Sequence, residues 1–284
     1  MTRLAEIEAH ITSMSELLDI VGAMRSLAGM RMQEAQRTLP GIRRYAESVA
    51  AGIADTLLLM GEPEPPPQGE RAKLALVLCT AEHGFVGGFN ERLVEATQAL
   101  LAPGDSLFVL GSRGAALLAE RGHPASWTHP MATRSAAASE TVQRLSAELY
   151  RRIARGEIAR VEVIFAHYRQ GAPANIERRL LLPLDLAALK PKQPRQPPLH
   201  NLDPEALHER LMAEYVFALL TEAAVESIAS ENAARLAAME SAHDNVSRKL
   251  ETLHQGARQA RQSEITTEIL ELATAAQALA SGRS

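Results

Sequence analysis

Residues 80–90, TAEHGFVGGFN, have the clearest potential for chemistry, because a strand-like run precedes them and a helix-like run follows. A glycine-rich turn between a strand and a helix is the layout of a phosphate-binding loop. Dinucleotide-binding loops need G-x-G-x-x-G, and P-loops end in G-K-[ST]. Gly84, Gly87 and Gly88 fit neither spacing, and no lysine follows them. We therefore interpret the turn as a tight connection that uses glycine for positive φ, with Asn90 capping the next helix and ligand binding as the alternative.

The other reactive side chains form no catalytic pattern. His200, His208, His243 and His254 lack the HExxH spacing or any other zinc-ligand spacing. No Ser/His/Asp arrangement is supported either. The single cysteine, Cys79, lies in an apolar run and is expected to pack as a small buried hydrophobe. The sequence thus predicts no metal, no cofactor and no catalytic group.

Composition narrows the classes of partner. The 284 residues are 46% hydrophobic but only 4% aromatic, and the net charge is −4. An acidic balance argues against general nucleic-acid binding. No apolar run approaches the roughly 20 residues of a membrane helix, and the first residues do not resemble a signal peptide. We expect no direct membrane insertion, so another chain would hold this protein at a membrane.

The elements that must position the turn begin with a long N-terminal helix, residues 1–61. Its apolar residues recur at intervals of three and four, which is typical of a coiled-coil seam. Only Arg25 breaks the pattern, and Pro40 is expected to kink or loosen the helix. The seam comprises Leu4, Ile7, Ile11, Met14, Leu18, Val21, Ala28, Met32, Ala35, Leu39, Ile42, Ala46, Val49 and Ile53.

A second long helix is predicted over residues 203–281, opened by Asp203 and Pro204. It carries a seam of its own, so we expect the two helices to pair antiparallel. The C-terminal helix is the longer one, and its apolar end at 266–280 would project without a partner and need a sleeve. The seam comprises Leu236, Met239, His243, Val246, Leu250, Leu253, Ala257 and Ala260, then Ile265, Ile269, Leu272, Ala276 and Leu279.

The middle region, residues 71–189, alternates strand-like and helix-like runs, which predicts a small α/β domain with a mostly parallel, helix-covered sheet. Residues 126–134 are irregular, with room for an edge strand. Proline-rich linkers at 62–70 and 190–198 flank the domain. Strand-like runs occupy 74–79, 106–111, 160–168 and 176–184, and helix-like runs occupy 91–101, 112–122 and 135–155.

The chain resembles the gamma subunit of rotary F-type ATP synthases over nearly its full length. The C-terminal motifs are the most specific of the matching segments. These segments are EIEAHITSM (6–14), AM (23–24), AQ (35–36), RRYAES (43–48), TAEHGFVGGFN (80–90), VLGSRG (109–114), SENAARLAAMESAHDN (230–245) and ARQSEITTEI (260–269). The resemblance implies the fold described above, a mixed α/β chain in which an antiparallel coiled coil carries an inserted α/β domain.

The resemblance also implies a role. Gamma subunits are the non-catalytic central stalk, which turns inside a hexamer of alpha and beta subunits and couples ion flow, of protons or sodium, to ATP synthesis or hydrolysis. The foot of the stalk rests on the membrane ring of c subunits, and an epsilon-type subunit docks on it. We therefore expect a peripheral location at the cytoplasmic face of a bacterial inner membrane.

Site residues follow from the matching motifs. The resemblance implies that Met24, Arg25, Arg261, Gln262, Ile265 and Ile269 contact the alpha/beta hexamer. It also implies that the turn with Gly84, Gly87, Gly88 and Asn90 belongs to the foot. Taken without the resemblance, Arg261 and Gln262 are two polar residues on a solvated helix face, and Met24 is a packing residue beside the seam.

Departures from the family concern charge. The N-terminal helix of gamma subunits is usually rich in lysine. Here Ser15, Asp19 and Gly22 occupy positions where lysine is common in the family. Over residues 1–36 there are three arginines and five acids. The chain could therefore serve a divergent second ATPase instead of a housekeeping synthase.

Two readings from other classes remain. An α/β nucleotide-binding enzyme with helical arms predicts a specific ligand for the isolated chain. A free coiled-coil scaffold predicts self-association without alpha or beta subunits. The paired terminal seams together with ARQSEITTEI favour the rotor over both.

Overall fold

The computed structural model describes residues 3–60, 73–169, 174–185, 189 and 199–281. The linkers predicted at 62–70 and 190–198 lie outside these residues. The elements in chain order are α1 (Arg3–Met60), β1 (Leu74–Cys79), α2 (Phe89–Gln98), β2 (Ser106–Leu110), α3 (Ser112–Glu120), β3 (Trp127–His129), a 3₁₀ turn (Ser135–Ala137), α4 (Ala138–Ala154), β4 (Arg160–His167), β5 (Asn175–Leu182) and α5 (Pro204–Ser281).

The chain divides into two compact units. A coiled-coil unit combines residues 1–27 with 237–284, and a larger α/β unit comprises residues 28–236. Helices α1 and α5 each contribute to both units. Among the described residues, no helix is both long and apolar enough to cross a membrane.

The sheet of the α/β unit has the strand order β3-β2-β1-β4-β5. Strand β1 pairs parallel with β2 and β4, and β2 pairs parallel with β3. The prediction of a mostly parallel sheet is confirmed, including the edge strand at Trp127–His129. Strand β5 is antiparallel to β4.

Helices cover both faces of this sheet, which explains why all six residues of β1 are buried. Helices α2 and α3 cover one face, where Leu76, Leu93 and Leu118 belong to one apolar cluster. Helix α4 and the middle of α5 cover the other face, where Val77 and Val225 belong to a second cluster.

Within the α/β unit, α1 and α5 pair in opposite directions. Arg43 of α1 binds Glu222 of α5, and Thr56 further along α1 binds His208, which comes earlier in α5. The antiparallel pairing predicted from the seams is therefore confirmed here. A small apolar cluster containing Ile53 closes the end of the pair.

In the coiled-coil unit the predicted seam is the least exposed stripe of each helix. Val21 and Met239 are 6% and 4% exposed, whereas every residue that flanks them is partly or fully exposed. Beyond Glu264 the described side chains, 265–275, are all exposed. The end of α5 therefore has no apolar cover from its own chain, as the sequence predicts.

The expected disturbance at Pro40 does not end the helix, because α1 continues from Arg3 to Met60. Pro40 itself is exposed, whereas its neighbour Leu39 is 6% exposed and belongs to the core. Burial of the residues around Pro40 therefore holds the helix together despite the missing N–H.

Predicted element boundaries shift by up to three residues. Helix α2 starts at Phe89 and α4 starts at Ala138, preceded by the 3₁₀ turn. Strand β2 ends at Leu110 because Gly111 takes a φ of 105°, which breaks the extended backbone.

Gly111 and Gly114, in the VLGSRG motif, are the glycines that packing requires. A Cβ on Gly111 would lie 2.4 Å from the carbonyl oxygen of Thr80, and one on Gly114 would lie 2.3 Å from the Thr80 side chain. The start of α3 therefore packs directly on the residue that follows β1.

We predict that Gly114→Ala destabilises the chain by about 1–3 kcal/mol, because the added methyl overpacks against Thr80. The matched control is Gly29→Ala in α1, where a Cβ meets nothing within 4 Å. That change should stabilise the helix by roughly 0.5–1 kcal/mol. Urea unfolding followed by circular dichroism measures both, and equal effects of the two substitutions would contradict the packing described here.

Candidate functional site: the carboxyl edge of the sheet and the paired helices

Helix α5 lies across the carboxyl ends of the two central strands. The Ser227 hydroxyl donates to the carbonyl of Cys79 at the end of β1 (3.1 Å), and the Ser230 hydroxyl donates to the carbonyl of Ala166 in β4 (2.8 Å). The backbone N–H of Tyr168 donates to the Glu226 carboxylate (3.3 Å). In open α/β sheets, ligands bind outside this edge, at the point where the strand order reverses. Here that position is filled by the chain's own helix.

A carboxylate of the glycine-rich turn occupies the N-terminus of α3, a position that in any helix favours an anion. Glu82 accepts hydrogen bonds from the Ser112 N–H (3.1 Å), the Ser112 hydroxyl (2.6 Å) and the Met131 N–H (3.0 Å). Burial alone would raise the pKa of Glu82, but these hydrogen bonds outweigh it and hold the pKa below its ordinary value. The side chain thus joins the loops that follow β1, β2 and β3.

The turn is also attached to α5 through Arg235. Its guanidinium donates to the carbonyls of His83 and Gly84, each at 3.3 Å. Glu231 (2.6 Å) and Asn232 (3.1 Å) hold the guanidinium from its own helix. Burial raises the pKa of Glu231, and the charge of Arg235 opposes the shift.

In the predicted turn, the cap assigned to Asn90 is wrong and the use of glycine for positive φ holds at one glycine of three. Asn90 is not the helix cap, because α2 begins at Phe89, and the Asn90 side chain instead accepts from the Ala81 N–H (3.0 Å). Of the three glycines, Gly87 alone has a positive φ, of 54°. A Cβ on Gly84 or Gly88 would meet no atom closer than 3.7 Å. The turn is fixed by its bonds to Asn90, Glu82 and Arg235 more than by glycine.

At the exposed tip of the turn, Phe85 takes a φ of 62°, which is unusual for a bulky residue. Its side chain is 68% exposed, whereas Val86 and Phe89 are 4% and 2% exposed. The turn therefore presents one aromatic ring on a base that is anchored on both sides.

A second cluster of charges joins α1, α5 and the outer strands. Arg43 binds both Glu222 and Glu226, and Arg179 of β5 binds Glu222 at 2.7 Å. Burial would raise the pKa of Glu222, but the two arginines lower it overall. Burial raises the pKa of Glu226. The His167 ring, whose Nδ1 lies 3.3 Å from the Glu226 carboxylate, opposes this rise. Each buried acid has a cationic partner, so the cluster is suited to holding the helices in place.

In the coiled-coil unit, Arg261 donates to the Glu8 carboxylate at 2.9 Å, and both side chains are more than half exposed. Ile265 and Ile269 are 50% and 60% exposed. Gln262 is exposed as well. Ile265 and Ile269 lie on the uncovered end of α5, and Arg261 and Gln262 lie just before it.

Met24 and Arg25 lie on α1 and are half-buried. Near them α1 carries further apolar side chains away from its seam. These are Leu17, Ile20, Leu27 and Met30, which are 40%, 57%, 41% and 63% exposed. The turn belongs to the α/β unit, whereas the predicted contact residues of the helices belong to the coiled-coil unit.

Sequence reasoning missed Glu82, Ser227, Ser230 and Arg235 as site residues. Ser227, Ser230 and Arg235 fall within or beside the apolar stretch of α5, where buried polar residues need partners. That need was the available signal, but the sequence does not show which carbonyls they reach. Among the residues that the structure describes, no group of three or more histidines, cysteines or acids could hold a metal ion.

Comparison with known proteins agrees over almost the whole chain. A family model described as ATP synthase matches residues 3–279. The ATP synthase gamma chain of Chloroherpeton thalassium is 27% identical over 98% of this chain and 99% of its own length. That of Frankia casuarinae is 29% identical over 99% of both chains.

Solved structures agree in fold. One chain in the central stalk and c-ring structure of Tetrahymena thermophila mitochondrial ATP synthase has a TM-score of 0.58 at 21% identity. The match covers 78% of this chain and 99% of that one. A chain of Euglena gracilis mitochondrial ATP synthase has a TM-score of 0.55 at 14% identity, over 93% of this chain and 97% of that one.

We predict that Glu82→Gln lowers stability at neutral pH, because the hydrogen bonds at the start of α3 favour the ionised carboxylate. A depressed pKa contributes stability above the ordinary carboxyl pKa of about 4.3, and that stability is lost as pH falls through the lower native value. The difference in melting temperature between wild type and variant should therefore shrink below about pH 4.

The control is Glu140→Gln, which removes only an exposed ion pair with Arg144 on α4. It should change the melting temperature little at any pH. A Glu82→Gln deficit that stays constant from pH 7 to acid would contradict the role given to the ionised carboxylate.

Proposed function

The chain belongs to the ATP synthase gamma-chain family, and we propose that it is the central-stalk rotor of an ion-translocating F-type ATP synthase or ATPase. The observation that carries this role is the bare end of α5. Ile265, Ile269 and Leu272 are 50%, 60% and 72% exposed, on a helix that continues past the apolar cover of its own chain. An apolar helix end of this kind needs a surrounding partner in water.

As a rotor the chain needs no catalytic group, and its α/β unit is built accordingly. Ser227 and Ser230 of α5 fill the ligand position at the carboxyl edge, and Glu82 occupies the anion-binding N-terminus of α3. These contacts argue against the alternative of a nucleotide-binding enzyme with helical arms. The chemistry of ATP would belong to neighbouring subunits.

We propose alpha and beta subunits as the sleeve, a c-ring and an epsilon-type subunit at the foot, and no nucleic acid. Structures with this fold come from a central stalk with its c-ring and from an assembly of F1 with a c-ring. The proposed location is peripheral, at the cytoplasmic face of a bacterial inner membrane. Coupling to protons or to sodium is equally compatible with this chain.

The first experiment mixes the chain with the alpha and beta subunits of its own organism, with and without residues 265–284. We expect the full chain to give an active ATP-hydrolysing complex and the truncated chain to give a weaker one, because the apolar end of α5 lies inside the hexamer. Failure of the full chain to assemble would contradict the proposal. Nucleotide bound specifically by the isolated chain would favour the enzyme alternative.

We predict that the double substitution Arg261→Ala and Gln262→Ala lowers ATP hydrolysis and torque in that complex, through a lost contact with a beta-subunit loop. An arginine fork can bind a carboxylate of that loop bidentately. Glu8→Ala is the matched control, since it removes only the exposed intrachain partner of Arg261. An equal loss in Glu8→Ala would assign the effect to the intrachain ion pair, and unchanged turnover in the double variant would refute the contact.

The placement of the turn with Gly84, Gly87, Gly88 and Asn90 at the foot stays a prediction. Within the α/β unit, the turn binds Arg235, whereas the other end of the helix pair carries the Thr56–His208 contact. That end is a second candidate for the foot.

Cysteine crosslinking distinguishes these two candidates. Native Cys79 is 1% exposed and should not compete with introduced cysteines. We expect His83→Cys to crosslink to c subunits if the turn forms the foot. Crosslinks to c subunits from Leu58→Cys but not from His83→Cys would show that the foot is the end of the helix pair that carries Thr56 and His208, and not the turn.

A further inference from the structure

Four side chains of α5 bind main-chain atoms at the carboxyl edge of the sheet, in addition to the ion pairs of Glu222 with Arg179 and of Glu226 with His167. Ser227 and Ser230 reach the carbonyls of Cys79 and Ala166, and Glu226 accepts from the N–H of Tyr168. Arg235 reaches the carbonyls of His83 and Gly84. We name these four α5 residues the α5 lock. Main-chain atoms at strand ends cannot follow a turning helix by changing rotamer, so α5 cannot rotate about its axis without deforming the sheet.

The four side chains of the lock are buried, which keeps water from replacing these bonds. Ser227 and Ser230 are each 1% exposed, Glu226 is 2% exposed, and Arg235 is 7% exposed. Serine has one short side-chain torsion, so its hydroxyl leaves little slack between helix and strand. Arg235 is longer, but Glu231 and Asn232 fix its guanidinium.

Helix α1 is attached differently. The Thr38 hydroxyl lies 3.4 Å from the Ser135 hydroxyl, which in turn donates to the Glu34 carboxylate at 2.8 Å. The other polar links of α1, from Arg43, Tyr45 and Thr56, run to α5 and not to a strand. Among the described residues, α1 therefore meets the rest of the unit through side chains that can reorient.

From this asymmetry we infer that torque passes between the α/β unit and the paired helices through α5, with Arg235 as the residue that positions the turn on the helix. This inference rests on the proposed rotor function. Helix α1 follows α5 through the seam and through Arg43. The α5 lock would connect ATP hydrolysis to ion transport. Without it, the complex should still hydrolyse ATP but should transport fewer ions for each ATP, because the contacts of the chain with its partner subunits remain.

The test compares two variants in the complete membrane complex. The α5 variant carries Ser227→Ala, Ser230→Ala and Arg235→Lys, which shorten or remove the bonds to main chain while keeping a cation beside Glu231. The α1 variant carries Thr38→Ala and Ser135→Ala and removes the side-chain link of α1. ATP hydrolysis and ATP-driven ion transport are measured on the same vesicles.

We expect the ratio of ion transport to ATP hydrolysis to fall in the α5 variant and to stay at the wild-type value in the α1 variant. A simple loss of folded complex would lower both activities together and leave the ratio unchanged. An unchanged ratio in the α5 variant, or an equal fall in the α1 variant, would overturn the inference.

Hydrogen exchange on the isolated chain gives a readout that does not depend on assembly. In the α5 variant the amides of residues 80–90 and of Tyr168 should exchange faster than in wild type, and in the α1 variant they should not. Equal exchange in both variants would overturn the lock. A different result would overturn the proposed function alone: the two variants differ in hydrogen exchange as expected, but the wild-type chain does not assemble into a rotary complex.

Discussion

Residues 220–232 of helix α5 are buried without interruption, and the rest of the α/β unit depends on that burial. A helix buried on every side must satisfy each polar group that it carries. Glu222 and Glu226 find Arg43 and Arg179, while Ser227 and Ser230 find carbonyls at the strand ends. The same contacts close the carboxyl edge of the sheet to ligands. One packing constraint thus accounts both for the missing nucleotide site and for the attachment of the sheet to the shaft.

Periodicity predicted most of this fold because it records burial directly. The three-four repeats of the terminal helices and the apolar run of β1 each mark a face that needs cover, and the structure covers them except on α5 beyond Glu264. The direction of β5 was beyond sequence reasoning, because NIERRLLL reads alike in a parallel and an antiparallel strand. The continuity of α1 at Pro40 likewise depends on packing around Leu39, which is a tertiary effect.

Within the candidate site, local rules failed where a distant residue competed for the same group. Asparagine is a common helix-cap residue, but the Asn90 side chain accepts a hydrogen bond from the N–H of Ala81 instead. Glu82 reads as an exposed turn acid, and only the fold brings Ser112 and Met131 to it. The start of α3 shows the opposite case, since the glycines of VLGSRG are required by contact with Thr80.

Charge on the N-terminal helix separates this chain from the lysine-rich pattern of its family. Arg31, one of three basic residues in the first 36, lies near the buried Glu231, where burial raises the pKa of the carboxyl and the charge of Arg31 opposes that rise together with Arg235. The charge of Arg31 is therefore partly used within the chain, and contacts along α1 would depend more on the exposed apolar side chains of that helix.

A rotor of this kind must turn inside a hexamer of alpha and beta subunits. The most direct test attaches a bead to the α/β unit in the complex with alpha and beta subunits and records its angle during ATP hydrolysis. We expect sustained rotation in one direction, and a bead that stays still while the complex hydrolyses ATP would contradict the rotor role.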